Sequence, residues 1–283
     1  SSVLNFRRNL TIFTFKMYII SFMYNEELIA AKVAARNAGK ILMKYLESDS
    51  KDIQYKSESG DSPVTIADNE ADKYLSSFLG GEFPHDGWLS EETIDTYDRL
   101  EKTRVWIVDP LDGTKEFIKK LPEFCVSIAL TENGIPVVGV IYNPFSDEMF
   151  YAQKNKGAFL NGEQIKISNT EDIQDASIIV SRSEYSKNLW NNYKNNFSSI
   201  KSVGSIAYKL GLSASGMYDI CATVAPKNEW DICAGDCVVR EAGGVMRTID
   251  GKNINYNQKK TLVTDPIIAT NSKLFDMVSD LLY

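Results

Sequence analysis

Two segments near the start of the chain carry hydrophobic residues at the spacing of one helix face. Residues 25–47 repeat this spacing and begin with two glutamates, which favour a helix N-terminus. A second helix is predicted over residues 65–79, with Asp68 in its first turn, where a carboxylate can cap the backbone. Residues 56–63 are polar and are predicted to form a loop between them.

A short continuous hydrophobic run, residues 105–108, is β-branched and aromatic. It predicts a strand that is buried on both faces. Pro110 has no amide hydrogen and is expected to end the strand, which leaves Asp109 at its carboxyl end. A short helix or turn is predicted over residues 115–119.

Two strands are predicted at residues 124–130 and 136–142. They flank Asn133-Gly134, a strong signal for a β-hairpin. Further strands are predicted at 148–153 and 157–160. The first half of the chain therefore predicts two helices packed on an antiparallel sheet.

Beyond residue 165 the pattern changes to alternating strands and helices, which is typical of an α/β layer. The predicted strands are residues 176–181, 200–203, 218–223, 245–249 and 267–270. The predicted helices are residues 186–196, 206–215, 231–242 and 273–282, and residues 251–265 are predicted to be a loop.

Three regions follow from these patterns. Residues 1–23 carry Arg7 and Arg8 before a mostly hydrophobic stretch without a small-residue cleavage site, and they are interpreted as an N-terminal extension. Residues 24–165 would form an α+β domain and residues 166–283 a smaller α/β domain. The hydrophobic stretch is too short to span a membrane.

Charge and rare residues narrow the function. The net charge of −7 argues against binding to a nucleic-acid polymer. Four cysteines without a framework-like spacing predict buried, reduced thiols in a cytoplasmic protein. The single histidine, His85, lies in a loop-like segment, so catalysis that needs several histidines is disfavoured. Carboxylates and metal ions would then do the acid–base chemistry.

Asp109 and Asp112 lie three residues apart at the end of a buried strand, beside the hydroxyl of Thr114. Two carboxylates this close repel each other unless a cation lies between them, and oxygen ligands favour Mg²⁺. The alternative is that Asp-Pro and Asp-Gly are ordinary turn formers. In the same way Asp68 and Asp231 could be no more than acids at helix starts.

Four stretches resemble the inositol monophosphatase superfamily of Mg²⁺-dependent, lithium-sensitive phosphatases. They read VWIVDPLDGTKEF (105–117), VTIAD (64–68), Ser90-Glu91-Glu92 and EWDICAGDCVVREAGG (229–244). Their order and separations agree with the family from about residue 25 to the end of the chain. The resemblance implies a layered α+β and α/β sandwich, small phosphorylated substrates and a possible homodimer.

The resemblance also implies the roles of individual residues. Glu91, Asp109 and the Leu111 carbonyl would hold one Mg²⁺ ion, and Asp109, Asp112 and Asp231 a second. Asp68 would meet a water or a third, weaker ion. Asp68, Thr114 and Glu91 would be catalytic, with Asp68 and Thr114 orienting the attacking water, while Gly113 and Thr114 would bind phosphate through their amides.

The substrate is less determined. DGTKEF and Ser181-Arg182-Ser183 resemble the branch of 3′(2′),5′-bisphosphate nucleotidases, although Glu184 stands where many of these have histidine. Ser205, Lys209, Arg182 and Lys227 are candidates for substrate contacts; an ordinary capped helix would equally explain the first two. The predicted reaction removes the 3′ or 2′ phosphate of adenosine 3′(2′),5′-bisphosphate. An inositol or sugar monophosphatase, and a catalytically silent sensor of phosphate ligands, are the alternatives.

Overall fold

A computed structural model describes residues 24–48, 53–55 and 63–283. The predicted extension of residues 1–23 and most of the predicted loop at 56–63 lie outside these residues. The described helices are α1 (Asn25–Glu47), α2 (Ile66–Glu82), α3 (Thr114–Ile118), α4 (Arg182–Ser186), α5 (Ile206–Ala214), α6 (Glu229–Glu241) and α7 (Ser272–Leu282), with 3₁₀ helices at Asp98–Glu101 and Asn191–Asn196.

The strands are β1 (Ile53–Tyr55), β2 (Pro63–Thr65), β3 (Gly87–Ser90), β4 (Arg104–Asp112), β5 (Cys125–Glu132), β6 (Ile135–Asn143), β7 (Glu148–Gln153), β8 (Ala158–Leu160), β9 (Glu163–Ile165), β10 (Ser177–Ser181), β11 (Ser199–Val203), β12 (Ile220–Thr223), β13 (Lys227–Asn228), β14 (Val245–Thr248), β15 (Leu262–Val263) and β16 (Ile267–Thr270). The helix predicted for residues 25–47 and the strand predicted for residues 148–153 are confirmed at both ends.

A large sheet with the order β3-β4-β5-β6-β7-β8-β9 forms the centre of the molecule. Side chains alternate across it, so Trp106 and Val108 of β4 pack with Leu75 and the alanines of α1. Ile107 of β4 faces the other way, into the core that contains Ile232 of α6. The prediction that this strand is buried on both faces is confirmed. The sheet is antiparallel except for β3, which runs parallel to β4.

A smaller mixed sheet with the order β11-β10-β12-β16-β14 lies beyond α5 and α6. Its outer face packs against α7, where Leu274 and Val278 bury Ile268 of β16. The layers are therefore helix, sheet, helix, sheet and helix, which confirms the predicted sandwich. One hydrophobic core joins the two sheets through α5 and α6, and the domain boundary near residue 165 stays a prediction.

The expectation that Pro110 ends β4 is wrong. The strand continues to Asp112, with an irregularity in its pairing to β5 between Asp109, opposite Ser127, and Asp112, opposite Cys125. Proline removes only its own donor, and the local irregularity accommodates this loss without ending the strand. The irregularity places both aspartates in β4, at the end that faces the smaller sheet.

The helix predicted over residues 186–196 is also wrong. The segment contains only the last residue of α4 and, separately, the 3₁₀ helix Asn191–Asn196. Asn188 adopts the left-handed region with φ 61°, which breaks the helical backbone, and the asparagines that follow have low helix propensity. The predicted loop at residues 251–265 contains the short strand β15, which pairs with β13.

Individual residues explain where α2 begins and how closely α6 packs on the large sheet. Thr65 and Asp68 form a capping box at the start of α2. At α6, the glycine at position 139 of β6 lets the helix approach the sheet, because a Cβ there would lie 2.6 Å from the Ala234 carbonyl oxygen. In the part of the chain that the structure describes, no helix combines the length and hydrophobicity of a membrane span.

Candidate active site

Three carboxylates from distant parts of the chain meet where the large sheet borders the helix layer. Among the described residues, Glu91, Asp109 and Asp231 form a group whose nearest ligand oxygens all lie within 4.8 Å of one another. Glu91 follows β3, Asp109 lies on β4, and Asp231 lies in the first turn of α6. Oxygen donors at this separation suit a hard divalent cation such as Mg²⁺.

The backbone next to Asp109 orients its side chain. One carboxylate oxygen of Asp109 accepts a hydrogen bond from the Leu111 amide at 2.9 Å, and the side chain is only 1% exposed. Asp112 is held differently, because its Oδ2 accepts the Ser205 hydroxyl and the Ala207 amide, each at 2.6 Å. Asp112 therefore lies at the same cleft but ties β4 to the start of α5.

Asp68 and Asp231 both act as helix caps. Asp231 accepts the Asn228 amide through Oδ2 at 2.8 Å, and Asp68 accepts the Thr65 amide through Oδ2 at 2.7 Å. In each case the bond engages one oxygen. Oδ1 of Asp68 lies 3.4 Å from the Thr114 hydroxyl. Capping and a role in the site, which the sequence left as alternatives, are therefore compatible in this geometry.

The clustered acids have raised pKa values. Burial, followed by repulsion from Asp112 and Glu91, raises the pKa of Asp231 to about 8. Burial raises the pKa of Asp68 to about 7, although hydrogen bonds from Thr65 oppose this shift. Burial and the charges of Glu91, Asp112 and Asp231 raise the pKa of Asp109 well above its ordinary value. A bound cation would offset the repulsion that these carboxylates exert on one another.

The acids line a cleft of about 430 Å³. The structure places almost all of the predicted site residues on its wall: Glu91, Asp109, Leu111, Asp112, Gly113, Thr114, Arg182, Ser205, Lys209, Lys227 and Asp231. Asp68 is buried and reaches the cleft through Thr114, whose hydroxyl also donates to the Leu111 carbonyl at 3.2 Å. Gly113 begins α3 with a φ of 97°, which a residue with a side chain rarely adopts.

Ser205 and Lys209 support the start of α5. Ser205 caps the helix by accepting the Tyr208 amide at 3.0 Å, and it does so with an unusual φ of 54°. The ammonium of Lys209 is buried, and it donates to the carbonyls of Val203 at 3.2 Å and Ser205 at 2.8 Å. Burial lowers the pKa of Lys209. The capped-helix alternative therefore describes both side chains, although both also line the cleft.

Arg182 and Lys227 lie on the cleft wall contributed by the smaller sheet and its connections. Arg182 forms an ion pair with Glu123, and its Nε lies 3.6 Å from Glu116. The side chain of Arg182 keeps 37% of its surface exposed. The charge of Lys227 lowers the pKa of Asp112 and Asp231 against the larger effect of burial. Cations and the carboxylate cluster thus line the same cleft.

Sequence reasoning did not single out Lys115, Glu116 and Glu123. Lys115 and Glu116 line the cleft and belong to the motif that predicted the site, so their position next to Thr114 was an available signal. Glu123 pairs with Arg182 and accepts the Gly204 amide at 2.6 Å. It lies in a loop without periodicity, and no pattern in the sequence indicates this contact.

A layered fold with an all-carboxylate cluster in a polar cleft that also carries cations is the arrangement of a metal-dependent phosphatase. The profile of the inositol monophosphatase family matches residues 24–280. An inositol monophosphatase of Mesembryanthemum crystallinum is 32% identical over 85% of this chain and 92% of its own length. The 3′(2′),5′-bisphosphate nucleotidase CysQ of Salmonella typhimurium is 34% identical over 81% of this chain and 93% of its own length.

Among solved structures, the extragenic suppressor protein SuhB of Bartonella henselae superposes with a TM-score of 0.79 at 30% identity. The match covers 91% of this chain and 98% of SuhB. The chain belongs to the inositol monophosphatase family, whose members are metal-dependent phosphatases of small phosphorylated molecules.

Proposed function

We propose that this protein hydrolyses the 3′ or 2′ phosphate of adenosine 3′(2′),5′-bisphosphate with Mg²⁺ bound by Glu91, Asp109 and Asp231. The observation that carries the proposal is the meeting of these three carboxylates in a cleft whose wall also carries cations. Asp112 and the Leu111 carbonyl, on the same wall, are further candidate ligands. Two or three ions in each site are part of the proposal.

The donor set fits the metal, because carboxylate and carbonyl oxygens are the ligands that Mg²⁺ prefers. Bound Mg²⁺ would neutralise charge on the phosphate and lower the pKa of the water that attacks it. The buried position of Asp109 fits a residue shared between ions, since such a carboxylate needs cations nearby to stay ionised.

Thr114 and Asp68 would position the attacking water and remove its proton. The Thr114 hydroxyl lies between the cleft and Oδ1 of Asp68. A proton released at the hydroxyl can pass to this Oδ1, because the pKa of Asp68 is about 7 and a base is most effective near the working pH. The amides of Gly113 and Thr114 would donate to oxygens of the phosphate that is transferred.

The nucleotidase preference rests on the cations of the cleft. Arg182, Lys227 and Lys115 are cations on the wall of the cleft, and a second phosphate of the substrate would bind to them. The 34% sequence identity to the CysQ nucleotidase of Salmonella typhimurium supports the same preference.

A second candidate substrate is an inositol or sugar monophosphate. The ion pair of Arg182 with Glu123 favours it, because a partnered guanidinium offers less charge to a second phosphate. Glu116 and Glu123 would instead accept hydrogen bonds from substrate hydroxyls. The similarity to the inositol monophosphatase of Mesembryanthemum crystallinum also supports this candidate.

A substrate panel separates the two. Phosphate release with Mg²⁺ is measured from adenosine 3′,5′-bisphosphate, inositol 1-phosphate and fructose 1,6-bisphosphate. We expect the highest kcat/KM with the nucleotide, and Arg182→Ala should raise KM for the nucleotide more than for inositol 1-phosphate. Higher kcat/KM with inositol 1-phosphate, unaffected by Arg182→Ala, would favour the second candidate.

Asp109→Asn tests the metal site itself. It should lower turnover on every substrate by at least about a hundredfold, whereas Asp147→Asn, at a surface turn with 70% of its side chain exposed, should not. Near-normal turnover in Asp109→Asn would contradict the proposal. The homodimer expected from the family resemblance and the cytoplasmic location expected from the cysteines stay predictions.

A further inference from the structure

We propose that Arg99 is a positioning residue that sets the separation between the carboxylates of Glu91 and Asp231. This inference rests on the proposed metal-binding role of those two carboxylates. Arg99 lies in the 3₁₀ helix Asp98–Glu101, outside the cleft, and sequence reasoning gave it no role.

Arg99 is a buried arginine whose guanidinium joins two separate segments. Its side chain is 1% exposed, and its Nη2 pairs with Asp95 at 2.7 Å. The same guanidinium donates to the Asn257 side chain at 2.7 Å and to the Gln258 carbonyl at 3.0 Å. Asn257 returns a hydrogen bond from its side-chain amide to the Arg99 carbonyl at 3.1 Å. The contact therefore links the β3–β4 connection with the β14–β15 connection.

The second of these segments is hydrogen-bonded to the helix that carries Asp231. The backbone amides of Asn257 and Gln258 donate to the carboxylate of Glu229 at 2.7 and 2.8 Å. Glu229 is 1% exposed and is the first residue of α6, two positions before Asp231. The preceding residue, Tyr256, donates its hydroxyl to Asp236 on the same helix at 2.9 Å. The segment thus fixes the first turns of α6.

The first segment carries Glu91. Asp95 lies four residues after Glu91, and the ion pair with Arg99 fixes the far end of this stretch. Its near end is held by Asp72 of α2, which accepts the hydroxyls of Ser90 at 2.5 Å and Thr93 at 2.7 Å. Asp72 connects the Glu91 segment to α2, in the N-terminal half of the chain, whereas Arg99 connects it to the segment that contacts α6.

This brace matters because the two carboxylates repel each other. Their ligand oxygens lie within 4.8 Å of each other, so the ionised pair without a cation would relax apart unless the backbone resists. Mg²⁺ requires a nearly ideal octahedral arrangement at short distances, so a small increase in the separation weakens binding. Arginine suits the role because its planar fork reaches several acceptors at once, which lysine cannot do.

The test compares Arg99→Lys with Arg104→Lys. Arg104 is a half-buried arginine with two carboxylate partners, Glu27 and Asp86, and neither lies at the cleft. Metal affinity is measured directly by titration calorimetry with Mn²⁺ and, separately, as the half-saturating Mg²⁺ concentration for phosphate release. For Arg99→Lys we expect about tenfold weaker metal binding, with KM for the substrate at saturating Mg²⁺ changed by less than about twofold.

A second variant covers the case in which Arg99→Lys does not fold. Asn257→Gly removes one acceptor of Arg99 and leaves the Asp95 ion pair, and the φ of 60° at this position suits glycine. It should weaken metal binding in the same direction by a smaller factor. Wild-type metal affinity in the folded variants would overturn the inference, as would an equal loss in Arg104→Lys.

Glu91→Gln and Asp231→Asn separate this inference from the proposed function. If both keep the metal affinity of the wild type, the proposed metal site fails. If both lose affinity while Arg99→Lys and Asn257→Gly do not, only the role of Arg99 fails.

Discussion

Three buried acids near the cleft make the stability of the metal-free protein depend on pH. Burial raises the pKa of Asp68 and of Glu229 to about 7, and burial with the charge of neighbouring acids raises that of Asp231 to about 8. In the unfolded chain such groups titrate near pH 4. Between these values the native protein holds more protons than the unfolded chain, so the free energy of unfolding falls as pH rises.

The linkage relation gives the size of the effect. From about pH 6 to about pH 8, Asp68 and Glu229 each contribute a loss of about 1 kcal/mol and Asp231 a loss of about 2 kcal/mol. The total of about 4 kcal/mol corresponds to a decrease in Tm of roughly 8–16 °C for a chain of this size. Mg²⁺ bound as proposed would displace the proton of Asp231, so it should remove that contribution of about 2 kcal/mol from the pH dependence.

Thermal unfolding followed by circular dichroism, with EDTA or with saturating Mg²⁺ at each pH, measures this dependence. Asp231→Asn is the matched variant, because it removes the carboxylate of Asp231 and should reduce the pH dependence of the metal-free protein by about 2 kcal/mol. A Tm in EDTA that stays constant or rises with pH would refute the reasoning. An undiminished pH dependence in Asp231→Asn would do the same.

Two further substitutions test hydrogen bonding at α4 and packing between α5 and α6. Glu184 is buried and accepts hydrogen bonds from the Trp190 indole, the Thr223 hydroxyl and the Ala225 amide. Glu184→Ala should therefore lower the free energy of unfolding, measured in urea, by about 3 kcal/mol. A cost below about 1 kcal/mol would contradict this. Gly235→Ala should cost about 1–3 kcal/mol, because its Cβ would lie 2.3 Å from a methyl carbon of Leu210. Gly80→Ala, with nothing within 4 Å, is its control, and an equal effect in both would show that the contact does not matter.

The helices and strands that sequence predicted best are those with strong local signals. The helix of residues 25–47 has a long amphipathic repeat, and Asn133 and Gly134 both adopt positive φ in the predicted hairpin turn. Predictions failed where several local preferences competed. Pro110 was expected to end β4, but pairing on either side of an irregularity keeps it in the strand. The helix over residues 186–196 was predicted without the left-handed turn at Asn188.

For Glu184 the sequence showed a departure from the nucleotidase pattern but not its consequence. The structure gives this carboxylate three hydrogen-bond donors from the smaller layer, which include the Ala225 amide shortly before Lys227 of the cleft. A single residue letter carries no information about partners that lie far away in the chain, such as Thr223.

The sequence by itself determined the layered fold class and the acids that belong to the site, because hydrophobic periodicity and the motifs around Asp109 and Asp231 are local properties of the chain. Only the tertiary structure decided that Glu91, Asp109 and Asp231 meet within 4.8 Å, that Asp112 turns its Oδ2 to Ser205, and that Arg99 bridges two distant connections. The physical reason is that these contacts depend on how β3, β4 and α6 pack against one another, and packing is a property of the whole core.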